Sequence, residues 1–316
     1  MNISKQTLLI IFIGSLAIFL NFLTFITALP EMFKTTQDHA RDFSAYYIGA
    51  WRLIHNPTAI YYGGTQPGDY PIYPKPKAYK YLPSFLLVIL PFLLLPYHTA
   101  LLLFNIIQFS LLPVKGYLIY KLLDKKKVIT ISIVLFIALF QPLPHLNPFN
   151  GELKLVSGLF PHPNFPFLFL SNSYYWNYVD GNSKVFLTFL LISALYFGKI
   201  RKVFLSGLIF GFALFDPRFA IITLPLILYF NKAKILTFLA GTAISFSITN
   251  IPLFLYQDIG IQFLRATLNY GIVTPLYAYA WIPLFTILAI LLAYIKELKD
   301  FIVDLLKSIN RKIKLR

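Results

Sequence analysis

The segment Arg41-Asp42-Phe43-Ser44-Ala45-Tyr46-Tyr47 holds the residues best suited to chemistry in this chain. Asp42 is one of only 12 acidic residues among 316, and it follows a long apolar stretch. An ionisable side chain at a membrane boundary is costly and usually serves a function. Aromatic rings surround Asp42 in the sequence, and Arg41 and Arg52 supply cations nearby. A carboxylate, aromatic rings and cations beside a bilayer indicate chemistry on a charged lipid.

Each residue type has a defined chemical use. A carboxylate can accept the proton of a reacting hydroxyl, and tyrosines such as Tyr46 and Tyr47 can stack on a sugar ring. Fixed Lys and Arg side chains can neutralise a departing phosphate. The side chains considered for that role are Arg41, Arg52, Lys75, Lys77, Lys80 and Arg218. Because Asp42 has no acidic residue at i+2, we expect neither a metal ion nor another cofactor.

Ordinary structural roles compete with each of these assignments. Asp42 can simply cap the helix that follows it, and the tyrosines can form an interfacial belt. The lysines from Lys75 to Lys80 can bind lipid headgroups without taking part in a reaction. Asp180 and Asp216 can be loop residues that face water.

The composition predicts a polytopic membrane protein. The chain is 58% hydrophobic with a mean hydropathy of +0.69, and residues 7–29 carry no charge over a length that can span a bilayer. The net charge of +16 lies in short clusters between apolar stretches, so lipid headgroups explain it better than nucleic acid. Without cysteine the chain has no disulfide and no thiolate chemistry.

The rest of the chain divides into apolar stretches and three polar regions. We expect an integral domain over residues 1–295, with a first loop at 30–81 and a second polar region at 147–184. A basic tail follows at 296–316. The apolar stretches after the first span are 82–96, 98–120, 128–146, 185–198, 203–215, 219–230, 235–256 and 276–295.

The positive-inside rule predicts the orientation. The basic connections at 199–202 and 231–234 flank one pair of apolar stretches, so both lie on the same side. Together with the basic tail, they fit the cytoplasm. We therefore expect a multi-pass plasma membrane protein with the first loop, and hence Asp42, on the extracellular face.

The stretch 82–170 permits two arrangements. If 82–96 and 98–120 both cross, residues 121–127 fall outside, and a further crossing at 153–170 restores the parity. If 82–96 only re-enters, 125–127 is cytoplasmic and 147–184 is one external loop. These versions predict ten and eight crossings, and we expect ten.

The sequence also predicts two amphipathic helices. Apolar residues between Phe43 and Ile54 recur at spacings of three and four, which predicts a helix along the membrane surface. The same spacing in the tail predicts a second surface helix with basic residues on the lipid. The predicted fold class is thus an all-α polytopic bundle of about 8–10 transmembrane helices with a surface helix in the first loop.

Two motifs in this chain resemble a known family. The first is Asp42-x-x-x-Tyr-Tyr-x-x-Ala, followed by Tyr61-Tyr62 and Tyr79-Lys-Tyr-Leu-Pro83. The second is Gly181-Asn182 at the start of a helix, then a basic turn, a Gly-x-x-x-Gly helix and a polar turn at 216–218. Over residues 40–230 the chain resembles GT-C polyprenyl-phosphate-sugar glycosyltransferases, closest to the GT87 (DUF2029) mannosyltransferase-like group. Leu82 and Arg218 stand where that group usually has proline and lysine.

The resemblance implies a GT-C-like fold and a definite reaction. An inverting hexosyltransferase would move a sugar, with mannose favoured, from a polyprenyl or dolichyl phosphate to a hydroxyl of a glycan or glycolipid acceptor. Asp42 would be the base. Asn182, Asp180 and Asp216 would join the tyrosines and cations named above in substrate binding. The lipid bilayer would be a further partner, and no nucleic acid is expected.

A different class of function also fits part of the sequence. A polyprenyl-lipid transporter or flippase would show repeated halves and polar groups on broken helices near the bilayer midplane. The chain has no obvious internal repeat, and its polar residues concentrate near one surface. A non-catalytic membrane subunit is the remaining alternative.

Overall fold

The described residues form a bundle of helices, several of which are joined by short turns. The computed structural model describes residues 4–33, 42–71, 78–141, 145–147, 154–156, 173–270 and 281–314. The α-helices in these ranges are α1 Lys5–Phe33, α2 Asp42–His55, α3 Leu86–Ile89, α4 Tyr97–Leu122, α5 Val128–Phe140, α6 Ser173–Asp180, α7 Lys184–Lys199, α8 Val203–Ala213, α9 Pro217–Asn231, α10 Ile235–Thr249, α11 Ile251–Leu255, α12 Gln257–Tyr270, α13 Trp281–Ala293 and α14 Ile295–Lys314.

Short elements connect these helices. Turns of 3-10 helix lie at Pro57–Ala59, Pro83–Phe85, Leu90–Leu94 and Lys232–Lys234. Two strands, β1 (His145–Asn147) and β2 (Lys154–Val156), form a small antiparallel hairpin. Apart from this strand pair, the regular elements of the described residues are all helices.

The first helix shows how the apolar sequence makes the bundle. One side of α1 is buried at helical spacing and packs against α4, α5 and α6, while Leu8, Phe12 and Phe19 are exposed on the other side. Asn21 lies in the buried seam. Its side-chain amide donates to the Leu139 carbonyl at 2.8 Å, and its oxygen accepts from the Tyr178 hydroxyl at 2.7 Å. Internal partners of this kind are needed where no water can bond a polar group.

The described helices confirm an all-α polytopic membrane protein. By length and composition, three helical segments are long and apolar enough to cross a bilayer: Lys5–Phe33, Tyr97–Leu122 and Pro217–Thr249. The last of these contains α9, the turn at Lys232–Lys234 and α10. The count rises to five if each of two bent pairs is one span. Further apolar helices of 10–17 residues lie at Pro83–Leu94, Val128–Phe140 and Val203–Ala213. A count of eight therefore requires Val128–Phe140 and Val203–Ala213 to cross as well, with α9 and α10 crossing separately.

The connections gather at two opposite ends of the bundle. One end, here the Asp42 face, carries α2, the α6–α7 turn and the α8–α9 turn. The other end, here the basic face, carries the α4–α5, α7–α8 and α9–α10 turns and the α13–α14 junction. Ion pairs from Lys126 to Glu297 and from Lys199 to Asp124 hold the basic connections together.

The preference for ten crossings is wrong, because the segment 82–96 re-enters. The Leu82 N–H donates to the Phe215 carbonyl at 3.1 Å, and the Tyr47 hydroxyl donates to the Leu95 carbonyl at 2.7 Å. Both ends of the segment thus lie at the Asp42 face. Residues 121–127 lie at the basic face, as the re-entrant version requires. The further crossing expected at 153–170 falls outside the described residues except for β2.

Two glycines allow α8 and α10 to pack closely. A methyl group on Gly207 would collide with the carbonyl oxygen of Phe238, and one on Gly211 would collide with that of Thr242. Backbone approach of this kind is the usual function of a small-x-x-x-small pattern in membrane helices. The Gly-x-x-x-Gly motif of α8 therefore serves close helix packing.

Replacing Gly207 by Ala is expected to destabilise the protein by about 1–3 kcal/mol, because backbone atoms must move apart to admit the methyl group. This outweighs the gain of about 1 kcal/mol in helix propensity. Gly14→Ala is the matched control, since nothing lies within 4 Å of a methyl group there. Thermal unfolding in detergent should show a lower melting temperature for the first variant only. Equal melting temperatures would contradict the close contact.

Candidate functional site

The site begins at the first residue of α2. Asp42 lies in the first turn, where a carboxylate interacts favourably with the helix dipole. The predicted helix at 43–55 is present, but it is not a surface helix in the usual sense. Its residues from Phe43 to Ala50 are all buried, and the helix contacts α3 and the 3-10 turns at Pro57–Ala59 and Leu90–Leu94. Asp42 is therefore held on a rigid, enclosed element.

A tight turn brings a second segment to Asp42. Helices α6 and α7 meet at 115°, and Gly181 between them has φ +62°. A methyl group on Gly181 would lie 2.6 Å from Cβ of Phe43, so only glycine allows this approach to α2. The turn ends α6, and α7 starts at Lys184 immediately after Asn182 and Ser183. The helix start expected at Gly181-Asn182 is confirmed.

Asp42 and Asn182 are hydrogen-bonded across this junction. The Asn182 side-chain amide donates to the Asp42 carboxylate, joining residues 140 positions apart. Asn182 is fully buried, and its amide oxygen has no hydrogen-bond partner among the described residues. An amide that holds one carboxylate oxygen fixes the direction of the other, so this contact can orient a base. It is a tertiary contact and is not part of helix capping.

A cluster of three charges lies at the starts of α7 and α9. Lys184 forms an ion pair with Asp216, and both side chains are 1% exposed. Arg218 donates to Asp216 from Nε at 2.9 Å and from Nη2 at 3.0 Å, and its side chain is 36% exposed. Two cations share one carboxylate, so the cluster keeps a positive charge. Such a charge can attract a phosphate.

The pKa of Asp216 reflects this arrangement. Burial alone would raise the pKa of the carboxyl, but Lys184 and Arg218 outweigh burial and hold the pKa well below its usual range. Asp216 is consequently ionised at neutral pH. Its role is to hold the two cations, and it cannot serve as a proton donor.

Three tyrosines connect the carboxylate to the charge cluster. The Tyr46 hydroxyl lies 3.5 Å from that of Tyr81, which accepts a hydrogen bond from Lys184 at 3.1 Å. The Tyr79 ring packs between Tyr46 and Tyr61. Burial raises the pKa of Tyr46 and Tyr79 well above the ordinary value for tyrosine. These hydroxyls stay neutral, which leaves Asp42 as the better base.

A cavity of about 420 Å³ adjoins this group. It is lined by Tyr61, Tyr62, Asp258, Ile261, Gln262, Arg265 and Ala266. The Tyr61 hydroxyl donates to the Tyr81 carbonyl at 3.0 Å, so Tyr61 lies between the cavity and the Lys184 cluster. Helix α12 contributes most of the lining, with polar side chains on the side that faces the tyrosines. The cavity can therefore receive a polar molecule next to the candidate site.

The expected role of Arg52 in binding a phosphate has to be corrected. Its five N–H groups are all used within the protein: two donate to the Asp69 carboxylate at 2.8 and 2.6 Å, and three to the carbonyls of Ala59, Tyr62 and Gly64. A guanidinium has five donors, so none remains for a phosphate. Burial and these bonds make Arg52 the residue that organises the first loop.

The remaining predicted residues divide into three groups. The Tyr47 hydroxyl donates to the Leu95 carbonyl, so its contact is with the re-entrant segment. Lys80 and Asp180 are half-buried and lie next to Tyr81 and Gly181 in the chain, close to the site. The predicted Arg41, Lys75 and Lys77 lie outside the described residues.

Lys184 is a site residue that we did not predict from the sequence. The available signal was a lysine at the start of a strongly apolar helix, directly after Gly181-Asn182-Ser183. A fully buried lysine needs a partner, and the partner is 32 residues away at Asp216. Within the described residues, no three His, Asp or Glu side chains cluster closely enough to hold a metal ion.

The fold and the site define a class of protein. The chain is a polytopic membrane protein in which helix ends gather a carboxylate, an amide and a cationic cluster at one face. The profile of glycosyltransferase family 87 matches residues 79–296, which is more than half of the chain. The chain therefore belongs to glycosyltransferase family 87, which makes it a membrane glycosyltransferase with a sugar donor and an acceptor. No curated protein and no solved structure matches the chain.

The matched residues bear on the site in two ways. They include Asn182, Lys184, Asp216 and Arg218, so the cationic cluster belongs to the family region. Asp42 precedes the match, and its candidacy depends on its hydrogen bond from Asn182. The expected resemblance to this family is confirmed. The family match covers residues 79–296, whereas the motifs indicated a resemblance over residues 40–230.

Proposed function

We propose that the protein is an inverting hexosyltransferase that uses a polyprenyl-phosphate sugar, with mannose as the sugar. The observation that carries this proposal is the placement of Asp42 and the Lys184–Asp216–Arg218 cluster at one face of the bundle. A base and a cationic group are the two features that an inverting transfer from a phosphate needs. Membership of the family supports sugar transfer as the reaction. The helices that face lipid support a donor that is itself linked to a lipid.

In the proposed reaction, an acceptor hydroxyl attacks the anomeric carbon of the donor sugar. Its proton passes to Asp42 while the bond from that carbon to the phosphate oxygen breaks. Inversion follows because the new bond forms on the side opposite to the departing phosphate. Asn182 holds the carboxylate in position, and the neutral Tyr46 does not compete for the proton.

The departing polyprenyl phosphate would meet the exposed part of the cluster. Arg218 is the more accessible cation, since its side chain is 36% exposed whereas that of Lys184 is 1% exposed. A preorganised cation costs no reorganisation when charge develops in the transition state. Lys80, between Tyr79 and Tyr81 in the chain, is the further cation proposed for this contact.

The cavity beside Tyr61 suits the acceptor. Tyr62 is half exposed there and offers a ring face, while Asp258, Gln262 and Arg265 offer groups that bond hydroxyls. These are the features by which a glycan or glycolipid would be recognised. The acceptor would then reach the site from the side of α12 and the donor from the lipid.

The test of this proposal is a transfer assay in membranes that contain the full chain. Polyprenyl-phosphate [¹⁴C]mannose should label an extractable glycolipid or glycan, whereas GDP-[¹⁴C]mannose should not when lipid-donor synthesis is blocked. Because Lys184 and Arg218 are fixed cations, transfer should persist in EDTA. Transfer from the nucleotide sugar would contradict the donor, and loss in EDTA restored by Mg²⁺ would contradict the metal-free mechanism alone.

We further propose that the Asp42 face is extracellular in the plasma membrane. The basic face carries the α4–α5, α7–α8 and α9–α10 connections and α14, so the positive-inside rule favours the cytoplasm for it. Single cysteines at Thr65, Lys202 and Lys307 test this arrangement, since all three are exposed and the native chain has no cysteine.

An impermeant thiol reagent applied to intact cells should label Thr65→Cys only. After permeabilisation it should label all three variants, which controls for accessibility. Labelling of Lys202→Cys or Lys307→Cys in intact cells would contradict the proposed orientation. A cysteine at Asp69 would be unsuitable, because Asp69 holds Arg52.

A further inference from the structure

A second cavity, of about 750 Å³, lies at the basic face, on the opposite side of the bundle from Asp42. Four connections line it: α4–α5, α7–α8, α9–α10 and α13–α14. Its cationic side chains are Lys125, Lys126, Lys199, Arg201, Lys232 and Lys234, and Glu297 is the acidic residue in its lining. Positive-inside charge explains why these residues are cytoplasmic, but it does not require them to converge on one cavity.

Two of these six cations have acidic partners in the described part of the chain. Lys126 pairs with Glu297, and Lys199 pairs with Asp124 and donates to two backbone carbonyls. In the described ranges no ion pair engages Lys125, Arg201, Lys232 or Lys234. The cavity therefore has an excess of positive charge, and an anion is the ligand that this charge would bind.

The backbone at Arg201 supports a role for its side chain. Helix α7 ends in a turn in which the N–H groups of Arg201 and Lys202 donate to Gly198 and Phe197, and Arg201 has φ +63°. Glycine is the usual residue at this left-handed position, as at Gly181 after α6. An arginine here costs free energy that glycine would not. This strained backbone conformation places Arg201 in the lining of the cavity.

The surroundings of the cavity indicate a lipid. Tyr229, Phe230 and Tyr294 supply aromatic walls, and Lys232 lies over the rings of Tyr229 and Phe301 at 5.1 and 5.3 Å. Phe301 belongs to the amphipathic α14, whose Ile302, Leu305 and Leu306 are exposed. Basic pockets beside membrane helices and amphipathic helices are where anionic headgroups bind.

We infer that this cavity binds the phosphate of an anionic glycerophospholipid in the leaflet at the basic face. The headgroup phosphate would lie among Lys125, Arg201 and Lys234, with the acyl chains along α9 and the apolar side of α14. The bound lipid would join three connections of the bundle to α14. This site is remote from Asp42, so it does not depend on the proposed transferase reaction.

The test uses the purified full chain in neutral detergent, with unfolding followed by tryptophan fluorescence. Phosphatidylglycerol in mixed micelles should raise the melting temperature by several degrees, and phosphatidylcholine should not. The variant Lys125→Gln/Arg201→Gln/Lys234→Gln should lose this shift. The control Lys5→Gln/Lys299→Gln/Lys307→Gln removes the same charge from residues outside the cavity lining and should keep it.

Arg201→Gly separates binding from folding. It relieves the left-handed strain, so its melting temperature without lipid should rise, while the shift caused by phosphatidylglycerol should shrink. An undiminished shift in Arg201→Gly and the triple variant, or an equal loss in the control, would overturn the inference. A full shift with inorganic phosphate or glycerol phosphate would assign the cavity to a soluble phosphate instead, and no shift with any anion would exclude the site.

Discussion

Asp42→Asn is expected to lower sugar transfer by about 10²–10⁴-fold, the range that a positioned general base contributes. Asparagine has nearly the same shape as aspartate and keeps an oxygen that can accept the hydrogen bond from Asn182. The fold should therefore survive, while the group that takes the acceptor proton is lost. Transfer is measured in membranes with labelled polyprenyl-phosphate mannose at matched expression.

Asp304→Asn provides the control for charge. Asp304 is exposed on α14 at the basic face, and its substitution removes the same negative charge without touching the site. It should leave transfer unchanged. Normal turnover in Asp42→Asn would exclude Asp42 as the base, and the capping role of an aspartate at a helix start would then be the correct assignment.

Lys184→Met is expected to have two effects. Breaking a buried ion pair leaves a charge without its partner, which typically costs about 3–5 kcal/mol, and Arg218 should reduce this cost by keeping its bonds to Asp216. Transfer should also fall by about 10²–10³-fold, because one preorganised cation is lost from the leaving-group side. Melting temperature and transfer rate, measured separately at a temperature where the variant is folded, distinguish the effects.

The double variant Lys184→Met/Asp216→Asn shows which effect is primary. It removes both buried charges of the pair and should recover much of the lost stability, since a neutral pair avoids the cost of an unpaired buried ion. Transfer should stay low if Lys184 acts on the donor phosphate. Recovery of both stability and transfer would show that Lys184 only neutralises Asp216.

The sequence alone predicted the features that depend on local composition. Apolar length and the spacing of Phe43 to Ile54 predicted membrane helices and α2, and Gly181-Asn182 predicted the start of α7. The basic turns at 199–202 and 231–234 predicted one common face. These features can be predicted from the sequence because hydrophobicity, helical periodicity and charge act over a few residues. Their prediction requires no knowledge of distant partners.

Only the tertiary structure decided which polar groups meet. Asn182 reaches Asp42 over 140 positions, and Lys184 reaches Asp216 over 32, while Arg52 is held by Asp69 within its own loop. All three pairings join groups that a buried site must satisfy, and a sequence does not reveal which of several compatible partners will be nearest. The same holds for the segment Pro83–Leu94. Its apolar composition is compatible with a membrane crossing, but the residues at its two ends both contact the Asp42 face, so the segment re-enters.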